Sequence, residues 1–182
     1  MAKQYENRRV RMTKQLMKDS LLELMETKDL ANITVTAVCD TADIHRSTFY
    51  KYYSDPSDLL RDIEMDLLNR IPFPQLPVEK DQEKLLEMNA AFFDFVKEND
   101  KAFRILFNDA NGSSFSARMV DFLCSGYLPV SESYNETDAR FTRLYIANGC
   151  IGMLREWIND DFPISSQKIA AMMFNLSRKL SE

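Results

Sequence analysis

Glycine is scarce in this chain, with four residues in 182. A sheet built from tight hairpins needs glycine wherever a turn takes a positive φ. A chain this poor in it, whose six prolines sit at segment edges, is therefore expected to be helical throughout. Nothing alternates with period two for long, and what recurs is spacing of three and four. From about Arg8 to Lys28, the residues Leu16, Met17, Ser20, Leu21, Leu24 and Met25 lay an apolar stripe on one helix face. Thr34 is a good N-cap for a short second helix whose inner face is Val35, Val38, Cys39 and Ala42. The segment 41–44 must then reverse direction, and Asp43 is one of the few non-glycine types that tolerate a left-handed backbone. A third helix is expected over about Arg46 to Tyr52, with Phe49 and Tyr53 as core. Asp55 followed by Pro56 reads as an N-cap with proline at the first helical position, opening a fourth helix to about Arg70.

Three prolines between Ile71 and Pro77 make that stretch an extended connector. Beyond it, helices are expected at about 80–99, 100–110, 113–126, 136–160 and 165–181. They are separated in part by Asn111-Gly112, Pro129 and Asp161-Phe162-Pro163. The fold class is all-α: a small head over residues 1–54 and a larger helical body over 55–182.

Composition excludes several functions. Hydrophobic residues at 45% and charged residues at 28% describe a globular chain. No apolar run reaches the ~20 residues of a membrane-spanning helix, so no membrane partner is expected. The polar, basic start lacks the apolar core of a signal peptide, and the cytoplasm is the expected compartment. Cys39, Cys124 and Cys150 are widely spaced and read as buried thiols. The single histidine, His45, leaves little for a metal site or a Ser-His-Asp triad. No catalytic set, metal or cofactor is expected.

The net charge of -5 conceals a segregation. Residues 1–54 carry nine Lys/Arg against seven Asp/Glu, whereas the remainder carries fourteen against twenty-one. The basic bias is strongest at Lys3, Arg8, Arg9, Arg11, Lys14 and Lys18. A positive head on an acidic body suits a polyanion binder. Two short helices joined by a tight turn, the second polar outside, form a helix-turn-helix whose second helix can enter a major groove. The hydroxyls of Thr34 and Thr36 open the second helix and can hold phosphate. His45, Arg46, Ser47 and Thr48 open the third, within reach of base edges, although His45 could equally cap the helix. Arg46 suits bidentate guanine readout. Tyr50, Lys51 and Tyr52 lie nearer the backbone and position rather than specify.

The stretch Ile33-Thr34-Val35, the run Ile44-His45-Arg46-Ser47-Thr48-Phe49-Tyr50-Lys51-Tyr52-Tyr53 and Ser54 to Leu60 together resemble the DNA-binding head of the TetR family, over about residues 8–60. The resemblance implies a homodimer, and it supports Tyr50 and Tyr52 as phosphate contacts. The fourth helix of the family usually begins with a phosphate-binding lysine, and Pro56 stands there instead. Tyr145, Gly149, Gly152 and Trp157 are similar to the pattern in many bodies of the family.

Phe92, Phe95, Phe103, Phe107, Met119 and Phe122 form an aromatic stripe that reads as core. The resemblance implies an effector cavity in the same helices, and so a largely apolar small molecule as a possible occupant. Phe141 and Tyr145 on one helix, with Ile169, Met172, Met173 and Leu176 on the last, read as a dimer interface. Gly149 and Gly152 leave a notch where a neighbouring helix can approach, and a four-helix bundle results. The function expected is a ligand-responsive dimeric repressor on a pseudo-palindromic duplex operator. The alternative is a co-regulator or activator whose body docks a protein partner, and a helical enzyme is a third class.

Overall fold

The computed structural model describes residues 8–72, 82–108, 115–128, 130–131 and 133–181. The basic residue Lys3, the prolines of the connector beyond Pro72, the Asn111-Gly112 interruption and Pro129 lie outside the described residues. All regular structure among the described residues is helical, with no strand. The helices are α1 (Arg8–Met25), α2 (Val35–Thr41), α3 (Arg46–Tyr50), α4 (Pro56–Arg70), α5 (Gln82–Glu98), α6 (Asp100–Leu106), α7 (Phe115–Phe122), α8 (Glu136–Asn159) and α9 (Ser166–Ser181). A short 3-10 turn, Leu30–Asn32, which the sequence did not predict, joins α1 to α2, and a π-turn over Leu123–Tyr127 prolongs α7.

Contacts divide the chain into two compact units. One holds residues 8–69 with Asn108, and the other holds Arg70–Phe107 with 115–181. The first unit closes around Phe49, whose ring is fully buried, with Met17, Leu21, Val38 and Leu59 equally enclosed. The α1 stripe is narrower than its spacing suggested. Met17, Ser20, Leu21 and Met25 are buried, but Leu16 is 51% exposed and Leu24 only half-buried. A helix covered by so small a core buries a narrow arc, and Leu16 lies outside it.

In the second unit α5 packs along α9, and α6, α7 and α9 each pack against α8. The rings of Phe103, Phe107 and Phe115 meet one another with centroids 5.3–5.8 Å apart, the separation at which edge-to-face and tilted aromatic pairs attract. Phe93 packs edge-on against Trp157 at 5.4 Å, and Trp157 against Phe162 at 4.8 Å. The turn between α8 and α9 places two non-glycine residues, Asp161 and Phe162, at φ 57 and 58. Arg104 of α6 holds that turn: its guanidinium donates to the Ile158 carbonyl at 2.6 Å and to Asp161 Oδ1 at 2.8 Å. It also lies over the Phe162 ring at 5.2 Å. Left-handed non-glycine residues are unfavourable, and persist where the surroundings over-determine them as they do here.

Candidate nucleic-acid interface

The helix-turn-helix is set by three local devices. Thr34 sits at an extended φ of -99 and its Oγ1 accepts from the Ala37 N–H at 3.2 Å. This satisfies one orphan donor of the α2 first turn. The hydroxyl proton is not consumed by that bond, so the same group can donate to a phosphate. At the other end Asp43 takes the left-handed conformation at φ 51, and the Ile44 N–H returns to the Cys39 carbonyl at 3.0 Å. That six-to-one closure is how a helix stops and reverses in two residues. The third device fixes α4, where Asp55 Oδ1 accepts from the Asp58 N–H at 2.8 Å and Asp58 accepts from the Ser54 N–H at 3.1 Å. Pro56 then stands at the first helical position, as its missing N–H allows.

These devices place the expected contacts at the start of α2, on α3 and on the two residues that follow it. His45 is the N-cap by backbone geometry, and its exposed side chain makes no cap bond. Arg46, Ser47, Tyr50 and Lys51 are exposed, Tyr50 to 60%, whereas Thr48, Tyr52 and Thr36 are half-buried. The helix ends at Tyr50, not Tyr52, and Lys51 is its C-cap. Phe49 and Tyr53 point inward, 0% and 5% exposed. Tyr53 does a second task at the rim of the core. Its hydroxyl donates to Asp62 Oδ2 at 2.7 Å, and the Lys18 ammonium bridges Asp62 at 3.1 Å and Asp66 at 3.5 Å. Burial pushes the Asp62 carboxyl up, but the Tyr53 and Lys18 hydrogen bonds and the charges of Lys18 and Lys14 outweigh it. The net effect is a carboxyl held below its usual range. This network was missed in the sequence, because α1 and α4 are brought together only by folding.

The cysteines are free thiols, Cys39 buried and the other two half-buried. Burial raises all three above the ordinary thiol range; at Cys39 the Arg46 charge opposes that shift, and at Cys150 the Ser177 hydroxyl does, 3.7 Å from its sulfur. None is poised as a nucleophile. Among the described residues no group of His, Cys, Asp and Glu is placed to hold a metal ion, and no helix is long and apolar enough to cross a membrane.

The second unit carries a different surface. An open groove of about 940 Å³ runs between α8 and α9, lined by Phe141, Tyr145, Gly149, Met153, Met173 and Leu176 among others, and none of its lining residues is charged. Phe141 is 57% exposed, Tyr145 69%, Met172 43% and Leu176 49%. A Cβ added at Gly149 or Gly152 would meet nothing within 4 Å, so the notch is open. Ile169 is placed differently from the expected interface: it is 4% exposed, inside the unit. Of the expected pocket residues, Phe92, Phe103, Phe107 and Met119 are buried and Phe95 and Phe122 half-buried.

A family model, TetR_C_8, transcriptional regulator C-terminal region, matches residues 83–179, more than half of the chain. The chain belongs to the TetR family of transcriptional regulators, proteins that bind DNA and act as dimers and that are not enzymes. No curated protein matches it. Among solved structures it is similar to a TetR transcriptional regulator from Streptococcus agalactiae 2603V, with TM-score 0.70 and 18% identity over 94% of this chain and 96% of that one. It is also similar to the fatty acid degradation regulator FadR from Bacillus halodurans (0.61, 13%, 91% and 94%). A third is the dihydroxyacetone kinase operon activator DhaS (0.60, 17%, 93% and 96%). Identities this low carry the fold, and the fold is all-helical over nearly the whole chain.

Proposed function

We propose that this protein is a ligand-responsive repressor that acts in the cytoplasm as a homodimer on a pseudo-palindromic duplex operator. DNA binding belongs to the unit carrying α1 to α4, and dimerisation to the α8–α9 face. The observation that carries the reading is the exposed polar face of α3, with Arg46 and Ser47 at its start and Tyr50 and Lys51 at its end. Arg46 reads a base edge, while Ser47, Thr48 and His45 share the groove. The hydroxyls of Thr34, Thr36, Tyr50 and Tyr52 and the ammonium of Lys51 hold phosphates on either side.

Dimerisation supplies the second head, since two recognition helices must reach grooves ~34–36 Å apart on the duplex. Phe141, Tyr145, Met172, Met173 and Leu176 fit that role, for they leave an uncharged apolar face open. Gly149 and Gly152 admit a neighbouring helix there. The effector class that suits the aromatic side chains of α5 to α7 is a largely apolar small molecule. Phe103, Phe107 and Phe115 pack against one another, so it enters by parting these rings. The response equals the difference in effector affinity between the two states of the dimer.

Selection of bound sites from random duplexes tests this directly. A symmetric consensus is expected. Arg46→Ala should then lose about 1–3 kcal/mol per half-site on that consensus and relax preference at one base pair in each. Lys51→Ala should weaken all duplexes alike and flatten the salt dependence. If Arg46→Ala bound every duplex as the parent does, the readout assignment would be wrong.

A further inference from the structure

The basic face of α1 has no part in the interface built above, yet it leads to it. Arg11, Lys14 and Lys18 fall at spacings of three and four, so they share one side of the helix. The three are placed differently. The Lys18 side chain is only 12% exposed and is committed to Asp62 and Asp66. One turn earlier, the Lys14 ammonium stands 5.7 Å from the centre of the Tyr52 ring. The Lys51 ammonium converges on the same ring at 5.5 Å. A further turn towards the N-terminus, Arg11 is exposed.

Tyr52 and Lys51 follow α3, so the basic side of α1 is carried to the edge of the recognition surface. Each ammonium is within cation–π range of the ring, which steadies both long side chains. Two like charges held on one ring repel each other, and that repulsion is relieved when an anion lies beside them. Lys14 also acts on Asp62, but that carboxylate is already shared by Lys18 and Tyr53.

We propose that α1 is a working part of the DNA interface. Lys14, set beside Tyr52 and Lys51, and Arg11 one turn beyond it hold backbone phosphates flanking the groove that α3 enters. This rests on the DNA-binding reading above and extends it from the helix-turn-helix to a helix outside it. The contacts are to phosphate, so they add grip without adding sequence preference.

The test is a salt titration of the full-length dimer on the selected operator and on a mixed-sequence duplex, with Lys14→Gln, Arg11→Gln, Lys14→Arg and, as a charge control in the same unit, the exposed Lys28→Gln. Every phosphate that a variant no longer neutralises takes about 0.9 off the slope of log affinity against log salt, and the dimer carries the substitution in both heads. Lys14→Gln and Arg11→Gln are therefore each expected to flatten the operator slope by about 1.8 and to weaken binding roughly sixtyfold near 0.1 M salt. The preference for operator over mixed sequence should not change. Lys14→Arg should restore the slope, and Lys28→Gln should leave it as in the parent.

Arg11 is exposed and does not enter the Asp62 network, so its variant remains informative even where Lys14→Gln lowers the melting temperature. A parent that binds with a steep slope, and Lys14 and Arg11 variants that keep it, would overturn the inference while leaving the DNA reading intact. A parent that ignores both duplexes at low salt overturns both.

Discussion

The two units leave apolar surface in different places. Met12, Leu16 and Met65 are exposed on α1 and α4 rather than on the face of α3 that carries Arg46 and Ser47, whereas on α8 and α9 the exposed apolar side chains flank one open groove. The α1–α4 unit turns its large apolar side chains at α2 and α3 inward, with Phe49 and Val38 at 0% exposed, and leaves arginine, hydroxyls and lysine outside. The α8–α9 pair keeps large side chains on the surface, from Leu144 and Met172 at 43% to Tyr145 at 69%. Helix α8 explains how. Ile146, Ala147, Leu154, Trp157 and Ile158 face its own unit, while Phe141, Leu144 and Tyr145 face outward, so apolar residues lie on two sides of the helix. The inward side is covered by its own unit, and the side bearing Phe141, Leu144 and Tyr145 is left open. On the reading proposed above, the polar face of α3 is where a polyanion is met, and the open α8–α9 face is where a second copy is seated.

The largest predicted effect attacks that contrast at its apolar end. Met172→Glu or Leu176→Glu places a carboxylate on the open face, and symmetry places it there twice. An uncompensated charge buried in an interface costs about 3–5 kcal/mol. Two of them, about 6–10 kcal/mol together, raise the dimer dissociation constant by at least about ten-thousandfold. Sedimentation should report monomers with an unchanged helical spectrum, and operator affinity should fall with them. Dimers that persist with both variants would show that the groove serves something else.

How far the sequence revealed each unit follows from the kind of interaction involved. Thr34, Asp43 and the Asp55-Pro56 pair act on backbone within four residues of themselves, so their roles are legible in one dimension. The polar outer face of α3 is legible for the same reason, since the helix is short and Phe49 fixes its inner side. Residue facing in the last helix was less so. Ile169, Met172, Met173 and Leu176 obey one spacing, but α9 packs on α5 along one arc and is open along the next. A three-and-four repeat locates a stripe and not the boundary between two neighbouring stripes. That is why Ile169 is inside while Met172 is out. The left-handed Asp161 and Phe162 were read only as an interruption, because the Arg104 clamp that holds them comes from α6, more than fifty residues earlier. The convergence of Lys14 and Lys51 on Tyr52 is tertiary in the same way.

A smaller effect separates the two roles of Thr34. Thr34→Ala removes the acceptor for the Ala37 N–H and should cost about 1 kcal/mol of stability in the unit that contains it. Thr34→Asp keeps the acceptor and removes the donor. It should hold the melting temperature while weakening duplex binding, since its carboxylate faces a phosphate. Equal operator affinity for the parent and the Asp variant would reduce Thr34 to a cap.

The smallest effect is in pH, and here too the units should differ. The Asp62 carboxyl is held below its usual range despite the opposing push of burial, by the Tyr53 and Lys18 hydrogen bonds and by the charges of Lys18 and Lys14. A carboxylate depressed in the folded state binds its proton more readily once unfolded. Its contribution is therefore present above the unfolded value of about 3.9 and is lost as pH falls through the lower folded value. The side chain is 41% exposed, so solvent screens the pair and the contribution is modest. The difference in melting midpoint between parent and Asp62→Asn should be flat above about pH 5 and shrink below about pH 4, with Tyr53→Phe giving part of it. The α8–α9 groove has no charged lining residue to titrate. Dimer dissociation should accordingly show no step attributable to Asp62 in that window, and an Asp62→Asn difference that grew on acidification would reverse the sign assigned to this network.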